Sequence, residues 1–224
     1  MLQDGRLKGV KIGNQWRFSQ QEVERLLSGG PVAFSISEEK DSIFPIHCVQ
    51  TIQNLFTSVS KCSALIIDQN GDQVTQISQP GPVCKILLAN EKGNELCKSF
   101  WREIARETKG RSEIFTCPAG LNCFGSIILN QNKKQGVFLA GEFYMSDSDM
   151  SQNIEILKHI ARDCGINEQE IMAADTLVRR LSAEEQKHLS YQPEAAAMAV
   201  ESILSERTAF MDRLQQIANL TQNL

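Results

Sequence analysis

SIILNQNKKQGVFLAGEFYM, residues 126–145, is the stretch that decides the fold. Ser126 to Leu129 and Val137 to Met145 are β-rich runs on either side of a polar turn, Asn130 to Gln135. That pattern predicts antiparallel neighbours. Upstream, Ala64-Leu65-Ile66-Ile67 and Val74 flank Asp68-Gln69-Asn70-Gly71, a second strand–turn–strand pattern, which Pro80-Gly81-Pro82 interrupts. Ile46, Val49, Ile52, Phe56 and Val59 keep helical spacing, and Asn90 can cap a helix with Leu96, Phe100, Trp101 and Ile104 on one side. A helix, two strands, a helix and at least two more strands predict an α+β domain, an antiparallel sheet with helices on one face.

The chain continues as helix. Asp149 can cap a segment bearing Ile154, Leu157, Ala161 and Cys164, stopped by Gly165. Ser182-Ala183-Glu184-Glu185 is a capping box. Past Pro193, Val200, Ile203, Arg207, Phe210, Leu214, Ile217, Thr221 and Leu224 alternate spacings of three and four, with Arg207 and Thr221 as polar exceptions. Such a seam either packs on its own domain or pairs with a second copy, so residues 191–224 are expected to be a coiled-coil-like dimerisation or signalling helix in a homodimer.

At the other end, Val10-Lys11-Ile12 and Trp16-Arg17-Phe18 read as short strands around a turn at Gly13-Asn14-Gln15. Ser19 and Glu22 form a capping box for a short helix with Val23, Leu26 and Leu27 on one face, and Gly29-Gly30-Pro31 opens a linker over 29–37. Residues 1–17 carry a net +3 within a chain of net charge −4. Only this basic head would meet a polyanion, although four basic residues on charge alone equally suit a solvated face.

The 224 residues are 42% hydrophobic and 22% charged, enough for a packed core. No apolar run is long enough to span a bilayer, and the start lacks the apolar core of a signal peptide. The expectation is a cytoplasmic protein without a membrane partner. Its seven cysteines are then thiols or ligands, not disulfides.

Two resemblances sharpen this. Residues 5–23, GRLKGVKIGNQWRFSQQEV, resemble the second half of an excisionase or MerR-type helix-turn-helix module: the end of a recognition helix, a β-wing and a closing helix. The resemblance implies that Arg6, Lys8, Lys11 and Arg17 face DNA phosphates and that Trp16 is wing core. The helices that precede the wing in that family have no counterpart before Met1, so residues 1–28 are expected to be a partial DNA-binding module.

The second resemblance covers roughly residues 38 to 190. Ile67-Asp68-Gln69-Asn70-Gly71, Cys84, Cys97, Cys117-Pro118-Ala119-Gly120-Leu121 and Gly136-Val137-Phe138-Leu139-Ala140-Gly141-Glu142 are similar to the PocR sensory-domain family. The family implies a PAS-like fold that senses a small organic molecule upstream of a DNA-binding or kinase output. It carries over Cys84, Cys97, Cys117, Gly120, Leu121, Gly141 and Glu142 as ligand-binding candidates, and Phe100 and Trp101, on the apolar side of the helix that bears Cys97, are candidates beside them. The closing strand usually reads Gly-Gly-Gln there; here it reads Ala140-Gly141-Glu142, a carboxylate in place of an amide. The Pro-Ile pair common after the Gly-Leu element is replaced by Cys123-Phe124-Gly125-Ser126.

Cys84, Cys97, Cys117 and Cys123 are spaced C-x12-C, C-x19-C and C-x5-C, without the tight knuckles of structural zinc sites. They can be small apolar pocket residues. Four thiols in one sensory fold could also hold an iron-sulfur cluster or zinc, or act as a redox sensor. Cys48 and Cys164 fall on helix faces and are expected in the core. The histidines, His47, His159 and His188, sit in no nucleophile motif, and no phosphate-binding loop is present. The chain reads as a regulator and not an enzyme; a cysteine nucleophile with a distant histidine is the remaining catalytic pattern.

Overall fold

A computed structural model describes residues 9–12, 15–18 and 43–222. Contacts divide the chain into two compact units, residues 1–47 and 48–224. In the first, β1 (Gly9–Ile12) and β2 (Gln15–Phe18) form the antiparallel hairpin expected from the sequence, with Lys11 opposite Trp16 and Val10 opposite Arg17. Lys11 and Arg17 therefore lie on this hairpin. Arg6, Lys8, the helix capped by Ser19 and the 29–37 linker lie outside the described residues.

The second unit is a mixed α+β domain. Helix α1 (Ile46–Ser60) leads into β3 (Ser63–Asp68), followed by α2 (Pro82–Ala89), α3 (Glu91–Glu107), β4 (Glu113–Thr116), β5 (Asn122–Asn130) and β6 (Lys133–Met145). Then come α4 (Met150–Cys164), α5 (Glu168–Asp175), β7 (Arg180–Leu181) and α6 (Ala183–Gln222). The strands form an open sheet in the order β3-β6-β5-β4, all antiparallel, with β7 parallel to the end of β6.

The hairpin at 126–145 is the centre of this sheet. Its turn is tighter than the polar run suggested: Gln131 and Asn132 both adopt positive φ, the backbone of a two-residue hairpin whose twist matches the strands. Val74 does not begin a strand. The Thr75 hydroxyl accepts the Ile66 N–H, and only isolated bridges, Ile67 with Gln73 and Ala64 with Ser78, continue the pairing.

Helices cover both faces of the sheet, not one. Because side chains alternate along a strand, Val137 and Leu139 join Leu65, Ile67, Trp101 and Ile104 on the α3 side, while Phe138 faces the other way. There Phe138 meets Phe56 of α1 edge-on at 5.1 Å. Ser126, opposite Phe138, accepts from the Ser112 N–H, and the Ser112 hydroxyl donates to the Ser190 carbonyl, which puts α6 on this second face.

Helix α6 is continuous through residues 190–191. Its capping box is as expected, with the Ser182 N–H donating to Glu185 and the Glu185 N–H to Ser182 Oγ. Ala197, Val200 and Leu204 are buried against the domain. Glu201 accepts from Leu129 N–H at 2.7 Å and from Arg111 at 3.0 Å, and Asn130 donates to Thr208 at 3.0 Å. Beyond Thr208 the expected seam is exposed at Phe210 and Ile217. Two other expectations are corrected. Cys48 is exposed, not core, and Val59 is exposed while polar Gln53 of α1 is buried. Gln53 earns that place with hydrogen bonds to the Ala64 and Gln76 carbonyls and the Ser78 hydroxyl.

Candidate ligand-binding cavity

The α3-facing side of the sheet does not close completely. A cavity of about 90 Å³ remains between β3, β5 and β6 on one wall and α2, α3 and α4 on the other. Its existence depends on the start of α2. Pro82 occupies the first turn, where its missing N–H costs nothing, and Gly81 caps it with extended backbone. This presents Cys84, Leu87 and Leu88 to the cavity. Asn90 then ends α2 and begins α3: its Oδ1 accepts from Gly93 N–H at 3.0 Å, and its Nδ2 donates to the Cys164 carbonyl at 3.1 Å. That cap orients α3 so that Leu96, Cys97, Phe100 and Trp101 line the opposite wall, and Ile160 of α4 closes the floor.

The segment 117–121 seals one end. Cys117 N–H donates to the Leu121 carbonyl and Gly120 N–H to the Cys117 carbonyl, each at 2.8 Å, which turns Cys117, Ala119 and Leu121 toward the cavity. Gly120 itself does not line it. Its φ of +76° makes the turn, and a Cβ there would stand 3.0 Å from Asn153 Oδ1. Of the ligand-binding candidates, Cys84, Cys97, Phe100, Trp101, Cys117, Leu121, Gly141 and Glu142 come together around this one space; Gly120 shapes it from outside. Cys123 lines it too.

Glu142 reaches the cavity through a break in the ladder. Cys123 pairs with Gly141 and Asn122 with Phe143, so Glu142 is the extra residue of a bulge. A bulge re-aims a side chain that strict alternation would send to the other face. Gly141 beside it has no room for a side chain, since a Cβ would lie 2.7 Å from that of Cys123. The carboxyl group lies over Gly81, where a Cβ would come within 2.2 Å of Oε2. Oε1 accepts the Gly81 N–H at 3.0 Å, whereas Oε2 is buried without a hydrogen-bond partner. Burial raises this carboxyl above the usual carboxylate range; the Cys84 thiol, the Gly81 and Cys84 N–H groups and the Ser63 hydroxyl ease the rise without giving Oε2 a bond of proper geometry.

Burial also keeps the thiols protonated. It pushes Cys97 up to about 12 and Cys117 up to about 11, and raises Cys84 and Cys123 strongly, with Glu142 adding to each. In this state they are small apolar groups with little nucleophilic character. Among the described residues no group of three or more His, Cys, Asp or Glu side chains could hold a metal ion. The four thiols share a lining without converging on a centre, and this arrangement does not fit the zinc or iron-sulfur expectation. His47, His159 and His188 are exposed and line no part of the cavity.

Sequence reasoning missed Ser63, Ile77, Leu87, Leu88, Asn122 and Ile160 as lining residues. The Gly81–Glu142 contact spans sixty-one positions and leaves no local signal.

A family model described as the sensory domain found in PocR matches residues 42–200. That span contains strands β3 to β7, the cavity and α6 as far as Val200. No curated protein matches the chain.

Proposed function

The chain belongs to the PocR sensory-domain family, and from that premise we propose that it is a ligand-sensing regulator whose cavity takes up a small organic molecule. The observation that carries this reading is a largely apolar, partly open cavity ending on one buried carboxylate oxygen without a partner. Core voids left by chance are apolar throughout, whereas binding sites pair apolar walls with a few fixed polar groups. A dry cavity of about 150 Å³ takes up benzene; the 90 Å³ here suits a smaller molecule, roughly three or four non-hydrogen atoms.

Signal transmission follows from β5. Cys123 at one end lines the cavity, and Leu129 and Asn130 at the other hold Glu201 and Thr208 of α6. A ligand that binds one arrangement of β5 and α6 better than another shifts the population toward it. We place the readout on the exposed turns of α6 past Thr208, where Phe210, Leu214 and Ile217 would pair with a second copy, and assign Arg6, Lys8, Lys11 and Arg17 to DNA phosphates in a cytoplasmic regulator. Free thiols throughout suit a reducing compartment.

Ligands this small bind weakly. At a ceiling of about −1.5 kcal/mol per atom, three atoms give a Kd on the order of 1 mM. The test is ligand-observed NMR on the full chain with ethanol, 1-propanol, ethylamine and phenol at concentrations on the order of 10 mM. Saturable binding of the small probes, with phenol excluded, is expected; no binding by any of them contradicts the reading.

A further inference from the structure

We propose that the cavity is built for a small primary alkylammonium ion, held by Glu142; this rests on the ligand-sensing reading above and specifies its chemistry. At the polar end of the cavity the Gly81 N–H, the Ser63 hydroxyl and one Asn122 N–H are committed, whereas one carboxylate oxygen of Glu142 is not. The Gly81 N–H is committed to Glu142 Oε1. The Ser63 hydroxyl donates to the Gly141 carbonyl, which leaves its oxygen free only to accept. Asn122 is held by the Thr116 hydroxyl and the Phe143 carbonyl. Glu142 Oε2 is buried and accepts nothing.

An ammonium group carries donors and no acceptor, so it leaves no lone pair stranded in this environment. An alcohol brings an acceptor oxygen that the site does not serve, and a carboxylate or carbonyl brings only acceptors. Charge points the same way. Among the described residues no Lys, Arg or His lines the cavity, so none of them gives the acid a cationic partner there. The other titratable groups facing it are the thiols of Cys84, Cys97, Cys117 and Cys123, all held neutral by burial. Arg179, which lies beside Cys62, is engaged by Glu185 and the Ser60 carbonyl. A cation thus supplies both the missing hydrogen bond and the missing counter-charge, and charge-assisted bonds are about twice as strong as neutral ones. Phe100, Trp101 and Leu139 would enclose the alkyl part.

Binding a cation keeps Glu142 ionised, so a site that is protonated when empty releases one proton to solvent on binding. Affinity for the ammonium ion therefore rises with pH until Glu142 is ionised in the empty protein, while affinity for a neutral isostere stays flat.

Ethylammonium and ethanol have heavy-atom skeletons of the same shape and differ in charge, so they are the probes, titrated into the full chain by ligand-observed NMR between about pH 4 and pH 8. At pH 8 wild type is expected to bind ethylammonium at least about tenfold tighter than ethanol, a preference shrinking by up to about tenfold per pH unit below the Glu142 titration. Glu142→Gln is expected to erase the preference to within about threefold. The wild-type pH profile decides the matter even where that variant fails to fold. Ethanol binding as tightly as ethylammonium, or a preference independent of pH across the range, overturns the alkylammonium assignment while the ligand-sensing reading stands. Absence of binding by either probe overturns both.

Discussion

The two faces of the central sheet are made from the same strands and built to opposite ends. On the face toward α1 and α6, Phe138 packs edge-on against Phe56, Phe124 and Phe143 meet at a tilt with ring centres 5.3 Å apart, and Ile66, Phe138 and Val200 are fully buried. On the other face, residues one step along the same strands, Leu65, Leu139 and Gly141, border a cavity. One face is filled by large rings; on the other, four thiols, a glycine and an acid interrupt an apolar lining that includes Phe100, Trp101 and Leu139. The first face is packed ring against ring, and the second holds an unfilled space within its apolar clusters. The bulge at Glu142 marks the change, because it breaks the alternation that would have made both faces alike.

The largest effect should therefore come from the filled face. Phe138→Ala removes a fully buried ring and is expected to cost about 3–5 kcal/mol by chemical denaturation. A loss under about 1 kcal/mol would erase the contrast between the faces.

Glu201→Ala tests the link from β5 to α6. It removes the acceptor for the Leu129 N–H and the partner of Arg111, both partly buried, and should cost about 2 kcal/mol. Hydrogen exchange should speed up at Leu129 and along the exposed turns of α6. Unchanged exchange there would mean that α6 is held by its apolar stripe alone and that β5 does not carry the signal.

A smaller effect, opposite in sign, is expected at the cavity. The Glu142 carboxyl binds its proton more tightly folded than unfolded. The stability this provides is present at low pH, below the ordinary carboxylate range, and is lost as pH rises through the raised folded value. Glu142→Gln should therefore come close to wild type at low pH and exceed it at pH 7, the excess growing as pH rises through the raised folded value. A variant less stable than wild type at neutral pH would show that Oε2 is satisfied in the folded protein and would blunt the comparison.

Much of the filled scaffold was legible in the sequence, because its signals are local. Asn90, Asp149 with Gly165, and the Ser182–Glu185 box each sit where a cap is observed, and the 126–145 hairpin needed only its alternation and its polar turn. The cavity-bearing side was harder to read. Helix α2 is eight residues long and apolar on nearly every side, so it lacks amphipathic periodicity, and Pro80-Gly81-Pro82 reads as an interruption although Pro82 is a helix-start residue. Edge strand β4 has only four residues. Helices on both faces could not be inferred, since the β6 run Val137 to Tyr144 is buried almost throughout and gives no polar face to count. Family resemblance, not spacing, brought Cys84, Cys97, Cys117 and Glu142 to attention; their sharing one lining is a matter of tertiary geometry. Cys48 was misplaced because a single cysteine on a helix carries too little pattern to fix its face.

The central claim is that the unfilled space is a binding site, and filling it is the most direct test. Cys97→Leu adds alkyl volume to the α3 wall and should change stability by less than about 1.5 kcal/mol, since the space can receive it. Titrating wild type and this variant with ethylammonium by ligand-observed NMR should show saturable binding to wild type and a loss of at least about tenfold in the variant. Equal binding to both proteins would place the ligand elsewhere and contradict the account.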